Sequence, residues 1–297
     1  MRRITGIRLA AAGSVLAGVL ALVTAVPATA GGYDNDRAPR YLALGDSMAF
    51  GYNPLLVRPG VNPHRFVGYP ELAARLFGSD VKVANASCTG ETSTSLITGT
   101  RPDNGCQDYR QFIGALHQSY LGSQLQYAED FVAANPRTKL ITLDIGVNDL
   151  FVLQQSCYPA PDPQACLFAG LPALLTTLST NLTTIYSGLR AAGFTGDFVV
   201  VTYYSPNYAD PASTGAIGAV DQVLTGVTTA FGGKVADGFG VFQAATAPFG
   251  GDACAAGLLI RLPDMTCDLH PSRSGAALLA AAVRGVERPL WSSHDDR

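Results

Sequence analysis

The chain has 297 residues, of which 47% are hydrophobic and 14% are charged, and its formal net charge is -3 at pH 7. This length suits one large domain or two small ones and is enough to bury a substantial core; we favour one domain because no linker interrupts the chain. A negative net charge argues against a basic surface that follows a phosphate backbone, so we expect no nucleic-acid partner.

The first 30 residues have the pattern of a secretory signal. Three arginines within the first eight residues precede an apolar run that ends in the small residues Ala28-Thr29-Ala30. A membrane anchor is the alternative, since the apolar stretch 9–26 is nearly long enough to span a bilayer. We predict cleavage near Ala30 and an extracellular protein in which residues 31–297 form one domain. The adjacent arginines do not identify the export route.

All six cysteines lie after the predicted cleavage site, and an even number is typical of an oxidising compartment. They fall into three close pairs separated by long intervals, so sequential pairing is the simplest arrangement. The predicted disulfides are Cys88–Cys106, Cys157–Cys166 and Cys254–Cys267. A thiolate metal site or redox centre is the alternative, but the sequence contains no Cys-x-x-Cys pair.

Apolar, β-branched runs alternate with helical stretches, which predicts a parallel sheet covered by helices. The predicted strands are Tyr41–Leu44, Val81–Val83, Lys139–Ile145, Asp197–Tyr203 and Lys234–Ala236. The predicted helices are Tyr69–Phe77, Leu121–Ala134, Leu171–Ala192, Ala216–Phe231 and Ser274–Val286. Glycine and proline clusters predict loops at Tyr52–Gly68, Gly99–Gly105 and Tyr158–Pro163. Such folds build their sites in the loops at the carboxyl ends of the strands.

A serine follows the first predicted strand. Tyr41–Leu44 runs directly into Gly45-Asp46-Ser47, a glycine-containing turn that presents Ser47 at the strand end. A hydroxyl is unreactive at its free pKa, so a nucleophilic Ser47 needs a base that takes its proton during attack. The alternative is a serine that only caps the next element.

Two further segments offer hydrogen-bond donors for an oxyanion. Asn148 lies in Gly146-Val147-Asn148-Asp149, directly after another predicted strand, although it could also be a simple turn residue. Gly90 lies in the loop after the second strand, beside Cys88, and a residue without a side chain lets substrate approach its backbone N–H.

The candidate base is His270, in Cys267-Asp268-Leu269-His270-Pro271 just before the last predicted helix. The chain has three other histidines, and none of them stands in a strand-end motif. We interpret those three as surface or packing residues: they are His64, His117 and His294.

Four short blocks, in this order, resemble the SGNH hydrolase superfamily, also called GDSL esterases and lipases. The blocks are Gly45-Asp46-Ser47, Gly90, Gly146-x-Asn148-Asp149 and His270-Pro271. The resemblance runs from Tyr41 to about Val286, and the cysteine pairs with the export signal are similar to the secreted actinobacterial members. No Gly-x-Ser-x-Gly elbow occurs, which argues against the ordinary α/β-hydrolases.

The resemblance implies a flavodoxin-like, three-layer α/β/α fold. It also implies that Ser47 is the nucleophile of an acyl-enzyme mechanism and that His270 is its general base and then acid. The Ser47 N–H would join Gly90 and Asn148 in the oxyanion hole.

One position departs from the superfamily pattern. The usual carboxylate stands three residues before the histidine, where this chain has Cys267, and Asp268 is only two residues before His270. Either the Asp268 carboxylate reaches the imidazole by a different path, or a backbone carbonyl near it orients the ring. We favour the carbonyl, because a disulfide at Cys267 would constrain the loop.

These features predict a secreted carboxylic ester hydrolase with esterase, lipase or phospholipase A activity. The alternatives are a polysaccharide O-deacetylase and a non-catalytic lipid- or glycan-binding protein. We expect no cofactor and no metal, because the sequence has no His-Glu-x-x-His and no calcium-loop pattern. The expected partner is a small-molecule or lipid ester, met by a monomer that contacts lipid interfaces transiently.

Overall fold

The structure is a computed structural model that describes residues 38–287. The predicted signal segment and His294 lie outside the described residues. Five parallel strands form one sheet, in the order β2-β1-β3-β4-β5. They are β1 (Arg40–Gly45), β2 (Lys82–Asn85), β3 (Thr138–Asp144), β4 (Asp197–Val201) and β5 (Lys234–Ala236). This order is that of flavodoxin-like sheets, so the predicted fold class is confirmed.

Helices cover the sheet. They are α1 (Ser47–Phe50), α2 (Tyr69–Phe77), α3 (Ser93–Thr98), α4 (Cys106–Phe112), α5 (Gln124–Ala134), α6 (Val147–Cys157), α7 (Pro163–Ala191), α8 (Pro211–Ala230), α9 (Gly238–Thr246) and α10 (Arg273–Val286). The strands between them are buried on both faces, because residues such as Leu42, Ile141 and Val200 are at most 1% exposed. The core therefore lies on both sides of one sheet.

The longest helix, α7, begins eight residues before the predicted start at Leu171. Pro163 occupies its first turn, where a missing N–H costs nothing, and the Asp162 side chain accepts a hydrogen bond from the Ala165 N–H. The proline and aspartate that suggested a loop are thus helix-start signals. Five helices were not predicted, because they are short and lack a long periodic pattern: α1, α3, α4, α6 and α9.

A second, two-stranded sheet was also missed by the sequence analysis. Strands β6 (Leu259–Arg261) and β7 (Cys267–Pro271) pair in antiparallel fashion just before α10. With three residues in β6 and five in β7, the two strands are too short to give a clear periodicity signal in the sequence. The three predicted disulfides are present, and Cys254–Cys267 joins β7 to the segment before β6.

Asp221 is a buried carboxyl that ties α8 to the end of β4. Its Oδ1 accepts a hydrogen bond from the Tyr203 N–H at 2.9 Å, and its Oδ2 has no partner within the described residues. Burial raises the pKa of Asp221 to about 8, although the bond from Tyr203 lowers it in part. The folded protein therefore holds a proton on Asp221 that the unfolded chain releases near pH 4.

Asp221→Asn should flatten the pH dependence of stability. Because the folded state binds the extra proton between about pH 4 and 8, the free energy of unfolding of the wild type falls as pH rises through this window. The variant keeps an oxygen for Tyr203 but does not titrate, so its slope should be less negative by up to about 1.4 kcal/mol per pH unit. Urea unfolding from pH 5 to 8 measures this, with the exposed Asp130→Asn as control. Parallel slopes for wild type and Asp221→Asn would contradict it.

Candidate active site

The site begins where β1 and β3 end side by side. Gly45, the last residue of β1, pairs with Asp144, the last residue of β3. A Cβ on Gly45 would lie 2.2 Å from the Asp144 carbonyl oxygen, and the φ of Gly45 is 134°, so only glycine fits here. The chain leaves this contact through Asp46 and enters α1 at Ser47. The first turn of α1 thus presents Ser47 at the carboxyl edge of the sheet.

Asp46 connects the serine turn to two other strand ends. It is fully buried; its Oδ1 accepts the Met48 N–H at 3.0 Å and caps α1. Its Oδ2 accepts bonds from the Asn148 amide at 3.0 Å and the Tyr203 hydroxyl at 2.6 Å. Asp46 therefore fixes the positions of residues after β1, β3 and β4 relative to one another.

A second carboxyl, Asp144, lies beneath Asp46. Burial raises the pKa of Asp144 well above its usual range, and the neighbouring charge of Asp46 raises it further. Tyr69 donates to Asp144 Oδ1 at 2.9 Å, and the Ala49 N–H donates to Oδ2 at 3.2 Å. Burial raises the pKa of Asp46 too, but the hydrogen bonds that it accepts, among them those from Met48 and Tyr203, lower it in part. Asp144 is therefore the carboxyl of the pair that holds a proton more strongly.

Gly90 lies in the loop after β2 with a left-handed φ of 77°. A Cβ there would lie 2.3 Å from the Asn104 carbonyl oxygen, and the Asn104 N–H donates to the Gly90 oxygen at 2.8 Å. The Cys88–Cys106 disulfide closes the same loop. Within residues 38–287 the Gly90 N–H has no acceptor, so it is available to a ligand.

The Asn148 amide is held in one orientation by a chain of side-chain amides. Asn104 Nδ2 donates to Asn148 Oδ1 at 2.8 Å, and Gln155 Nε2 donates to Asn104 Oδ1 at 2.9 Å. With its oxygen engaged and one N–H on Asp46, Asn148 keeps a second N–H for a ligand. Sequence analysis missed Asn104; its only signal was its place in a disulfide-bonded loop near Gly90.

His270 and Asp268 lie on the same strand, β7, and side chains two residues apart on a strand share a face. His270 Nδ1 lies 2.5 Å from Asp268 Oδ1, which also accepts the His270 backbone N–H at 3.0 Å. Burial of Asp268 raises its pKa, but these bonds from His270 lower it more, and the net pKa is below its usual range. The Tyr52 ring packs against the imidazole at a centroid distance of 4.6 Å.

This geometry corrects one expectation. We favoured a backbone carbonyl as the partner of the imidazole, but the structure places the Asp268 carboxylate there. The physical reason is the extended conformation of β7: a spacing of two residues reaches the neighbouring side chain on a strand, whereas the superfamily spacing of three does not. The Cys254–Cys267 disulfide fixes the strand without turning Asp268 away.

Ser47, Gly90, Asn148 and His270 line one pocket of about 610 Å³. The rest of its wall is largely apolar and comes from α6, α7 and α8, with the side chains of Val147, Leu150, Phe151, Leu167, Leu171 and Ile217. Within the described residues the Ser47 hydroxyl makes no direct hydrogen bond, which is common before substrate binds. Because Nδ1 of His270 is engaged with Asp268, Nε2 is the nitrogen that can serve Ser47.

The remaining described histidines lie outside this pocket. His117 Nε2 lies 3.0 Å from the Phe50 carbonyl oxygen. The centroid of the His117 ring is 4.9 Å from that of Phe50 and 6.3 Å from that of His64. Burial lowers the pKa of His117. These contacts agree with a packing role for His117.

Cys88, Glu91 and Cys106 are close enough to hold a metal ion, but the two sulfurs are bonded to each other and are not thiolates. Glu91 instead accepts bonds from Ser95 and Gln124. Gln124 in turn bonds both the N–H and the C=O of Gly45. The group therefore supports the turn that carries Ser47.

A sequence profile of the GDSL-like Lipase/Acylhydrolase family matches residues 43–278, and this range contains every residue of the site. The chain belongs to this family. Membership supports a hydrolase of ester substrates. Comparison with curated protein sequences gives no significant match.

Solved structures with this GDSL fold include two from Streptomyces. An extracellular lipase from Streptomyces rimosus has a TM-score of 0.56 and 17% identity, over 84% of this chain and 100% of that one. Phospholipase A1 from Streptomyces albidoflavus NA297 has a TM-score of 0.53 and 19% identity, over 84% and 100%. A mutant of Axe2, an acetyl-xylooligosaccharide esterase from Geobacillus, has a TM-score of 0.50 and 17% identity, over 82% and 92%. At these identities the likeness establishes the fold alone.

If His270 takes up a proton during ester hydrolysis, Asp268→Ala should lower kcat on a soluble ester by about 10² to 10⁴, because the imidazolium would lose its carboxylate. Asp268→Asn should fall between this variant and the wild type, since the amide oxygen still accepts the bond from Nδ1 but carries no charge. Asp264→Ala, in the turn of the same β6–β7 hairpin, is the control and should keep full activity. Full activity of Asp268→Ala would instead assign the ring's orientation to a backbone carbonyl.

Proposed function

We propose that this protein is a secreted carboxylic ester hydrolase that cleaves acyl esters through a Ser47 acyl-enzyme. The observation that carries the proposal is one pocket in which a strand-end serine, a carboxylate-paired histidine and two candidate oxyanion donors meet an apolar wall. Nucleophile, base and anion stabilisation are the three functions that acyl transfer needs.

In the proposed first step, Ser47 Oγ attacks the acyl carbon and His270 Nε2 takes the hydroxyl proton. Asp268 stabilises the imidazolium that forms. The negative charge of the tetrahedral intermediate develops on the former carbonyl oxygen, which accepts bonds from the N–H groups of Ser47 and Gly90 and from the Asn148 amide. The first-turn N–H of α1 at Ser47 has no intrahelical acceptor and is open for this bond.

In the proposed second step, the intermediate collapses, the C–O bond to the alcohol breaks, and His270 gives its proton to the leaving oxygen. Water then attacks the acyl-enzyme while His270 takes a water proton. Collapse of the second intermediate releases the acid and returns the proton to Ser47. The acid and base roles thus alternate on one nitrogen, as in other serine hydrolases.

The pocket wall favours an acyl chain over an acetyl group. Phe151, Leu167, Leu171 and Ile217 offer apolar surface beyond the reacting carbon, and burying each CH₂ of a substrate there contributes about 0.8 kcal/mol. An acetyl ester would leave this surface unused. The named neighbours include a lipase, a phospholipase A1 and an acetyl-xylooligosaccharide esterase, so the shared fold does not choose among these substrates.

Extracellular location is part of the proposal. Three disulfides with no free cysteine among residues 38–287 suit an oxidising compartment, and one structural neighbour is an extracellular lipase.

Ser47→Ala should lower kcat by about 10⁴ or more, because the acyl-enzyme cannot form. The same substitution should abolish covalent labelling by an organophosphonate, which mass spectrometry of the peptide that contains Ser47 detects in the wild type. Ser79→Ala, a distant serine between α2 and β2, is the control. Equal activity or labelling of Ser47→Ala and wild type would refute the assignment.

Leu171→Trp should shorten the preferred acyl chain, because the larger ring fills the apolar part of the pocket and leaves the Ser47 end open. We expect kcat/KM to fall about tenfold or more for octanoyl and longer esters and to change little for acetyl esters. The control is Leu76→Trp at a half-exposed position outside the pocket. An unchanged chain-length profile in Leu171→Trp, or a wild type that prefers acetylated glycans, would contradict the acyl-chain assignment.

A further inference from the structure

The helical hairpin of α6 and α7 has an unusual lack of charge. From residue 150 to residue 189 the only charged side chain is Asp162, whereas 40 residues at the chain's average of 14% would contain about six. Asp162 itself caps the N-terminus of α7. We call residues 150–177 of this hairpin the apolar hairpin.

The outer face of the apolar hairpin is the exposed, apolar side of α7 between residues 165 and 173, together with Tyr158 at the tip; the exposed residues of α6, in contrast, are polar. Tyr158, at its tip, is 84% exposed, and Phe168, one helical turn into α7, is 51% exposed. Exposed positions continue along one side of α7 with the spacing of a single helix face. They are Ala165, Phe168, Ala169, Pro172 and Ala173. In an ordinary surface helix this is the pattern of the side that faces the core, and here it faces outward.

The second half of α7 is an ordinary core helix. Leu178, Leu182 and Ile185 are fully buried, and the first buried residue of the helix is Leu178. The helix is long and apolar enough to cross a membrane by length and composition. One side of its second half packs into the core, and the exposed side there is polar, with Thr180, Thr183 and Thr184, so only the part before residue 178 presents an apolar face to a lipid phase.

The tip of the hairpin is fixed in shape. The Cys157–Cys166 disulfide joins the end of α6 to the start of α7, next to Tyr158. Gly170 lets α7 approach α6 closely, because a Cβ there would lie 2.7 Å from Leu153. The exposed aromatic residues therefore stand on a preformed surface and need no ordering before they insert.

The outer face is continuous with the substrate pocket. Phe168 is half-exposed and also lines the pocket, and Leu269, beside His270, is 51% exposed and lines it as well. Phe168 and Leu269 thus offer solvent-exposed apolar surface at the wall of the pocket that holds Ser47. An acyl chain that leaves a lipid phase could follow this surface into the pocket.

We propose that the apolar hairpin seats the protein on a lipid surface without net charge, with the pocket mouth against the lipid. The inference deepens the proposed ester hydrolysis and rests on it, because it names lipid esters at an interface as the substrates. The charge pattern favours this partner: no lysine or arginine lies on the hairpin to attract anionic headgroups, and Asp162 would be repelled by them. Apolar burial then supplies the binding free energy.

The test uses the Ser47→Ala protein, so that binding is measured without hydrolysis, and flotation with phosphatidylcholine vesicles. The double variant Ala169→Glu with Ala173→Glu places two charges on the outer face, and glutamate is a good helix former, so α7 should be retained. The matched control is Ala277→Glu with Ala281→Glu, an exposed pair at the same spacing on α10. Circular dichroism checks that both variants fold.

We expect the hairpin variant to bind vesicles about tenfold or more weakly, and the α10 variant to bind like its parent. Binding should not rise when phosphatidylglycerol is added or fall when salt is added. With Ser47 restored, the hairpin variant should hydrolyse a soluble short ester at the wild-type rate but lose activity on vesicles.

Three outcomes would overturn the proposal. They are equal vesicle binding by the hairpin variant and its parent, binding only to anionic vesicles, and self-association of the parent that the hairpin substitutions abolish, which would assign the face to a second copy of the chain. Loss of the proposed function is separately visible. If wild type hydrolyses no ester but still binds vesicles through the hairpin, the docking surface stands and the ester hydrolase assignment fails.

Discussion

The parallel pairing of β1 and β3 places Ser47 and Asn148 next to each other at one edge of the sheet. Gly45 and Asp144 end the two strands at the same level, and the lack of a side chain on Gly45 allows the backbones to meet there. The residues that follow the two strands are therefore neighbours, and the Asn148 amide can donate a hydrogen bond directly to Asp46. A side chain at Gly45 would separate the two turns. Ser47 and Asn148 would then move apart together with their strands.

Buried polar groups beneath the site convert this contact into a fixed geometry. Burial and the neighbouring Asp46 raise the pKa of Asp144, which favours its protonated form. Tyr203, just after β4, donates a hydrogen bond to Asp46. The stability of the fold then depends on buried carboxyl groups that stay protonated. Asp221 on α8 is another such group, because burial raises its pKa to about 8. Stability and the alignment of the site are therefore linked through pH. A site of this kind is pre-organised at some expense of stability above neutral pH.

The sequence predicted what is carried by long periodic segments and by strand-end motifs. Five strands, the disulfide pairs and the common pocket of Ser47 and His270 followed from patterns that local chemistry determines. Asn104 could not be predicted, because its contact with Asn148 depends on how a disulfide-bonded loop folds over another strand end. For the partner of His270 the sequence left the Asp268 carboxylate and a backbone carbonyl open, and our preference for the carbonyl was wrong for a similar reason. A spacing of two residues puts both side chains on one face only when β7 is known to be a strand. Short elements and loop-to-loop contacts are set by tertiary packing, which a single sequence does not record.

Because His270 and Asp268 lie on the same strand of the β6–β7 ribbon, the imidazole and the carboxylate that it contacts keep their relative position when the ribbon moves. Ser47 directly follows a strand of the parallel sheet, whereas the β6–β7 ribbon is held by the Cys254–Cys267 disulfide and by the Tyr204 hydroxyl, which donates to the Leu269 carbonyl at 2.6 Å. Any tilt of the ribbon changes the distance from Ser47 to the imidazole but leaves the pairing of the imidazole with Asp268 intact. The position of the β6–β7 ribbon relative to the parallel sheet therefore sets the distance from Ser47 to the imidazole, whereas the contact that orients the imidazole lies within the ribbon itself.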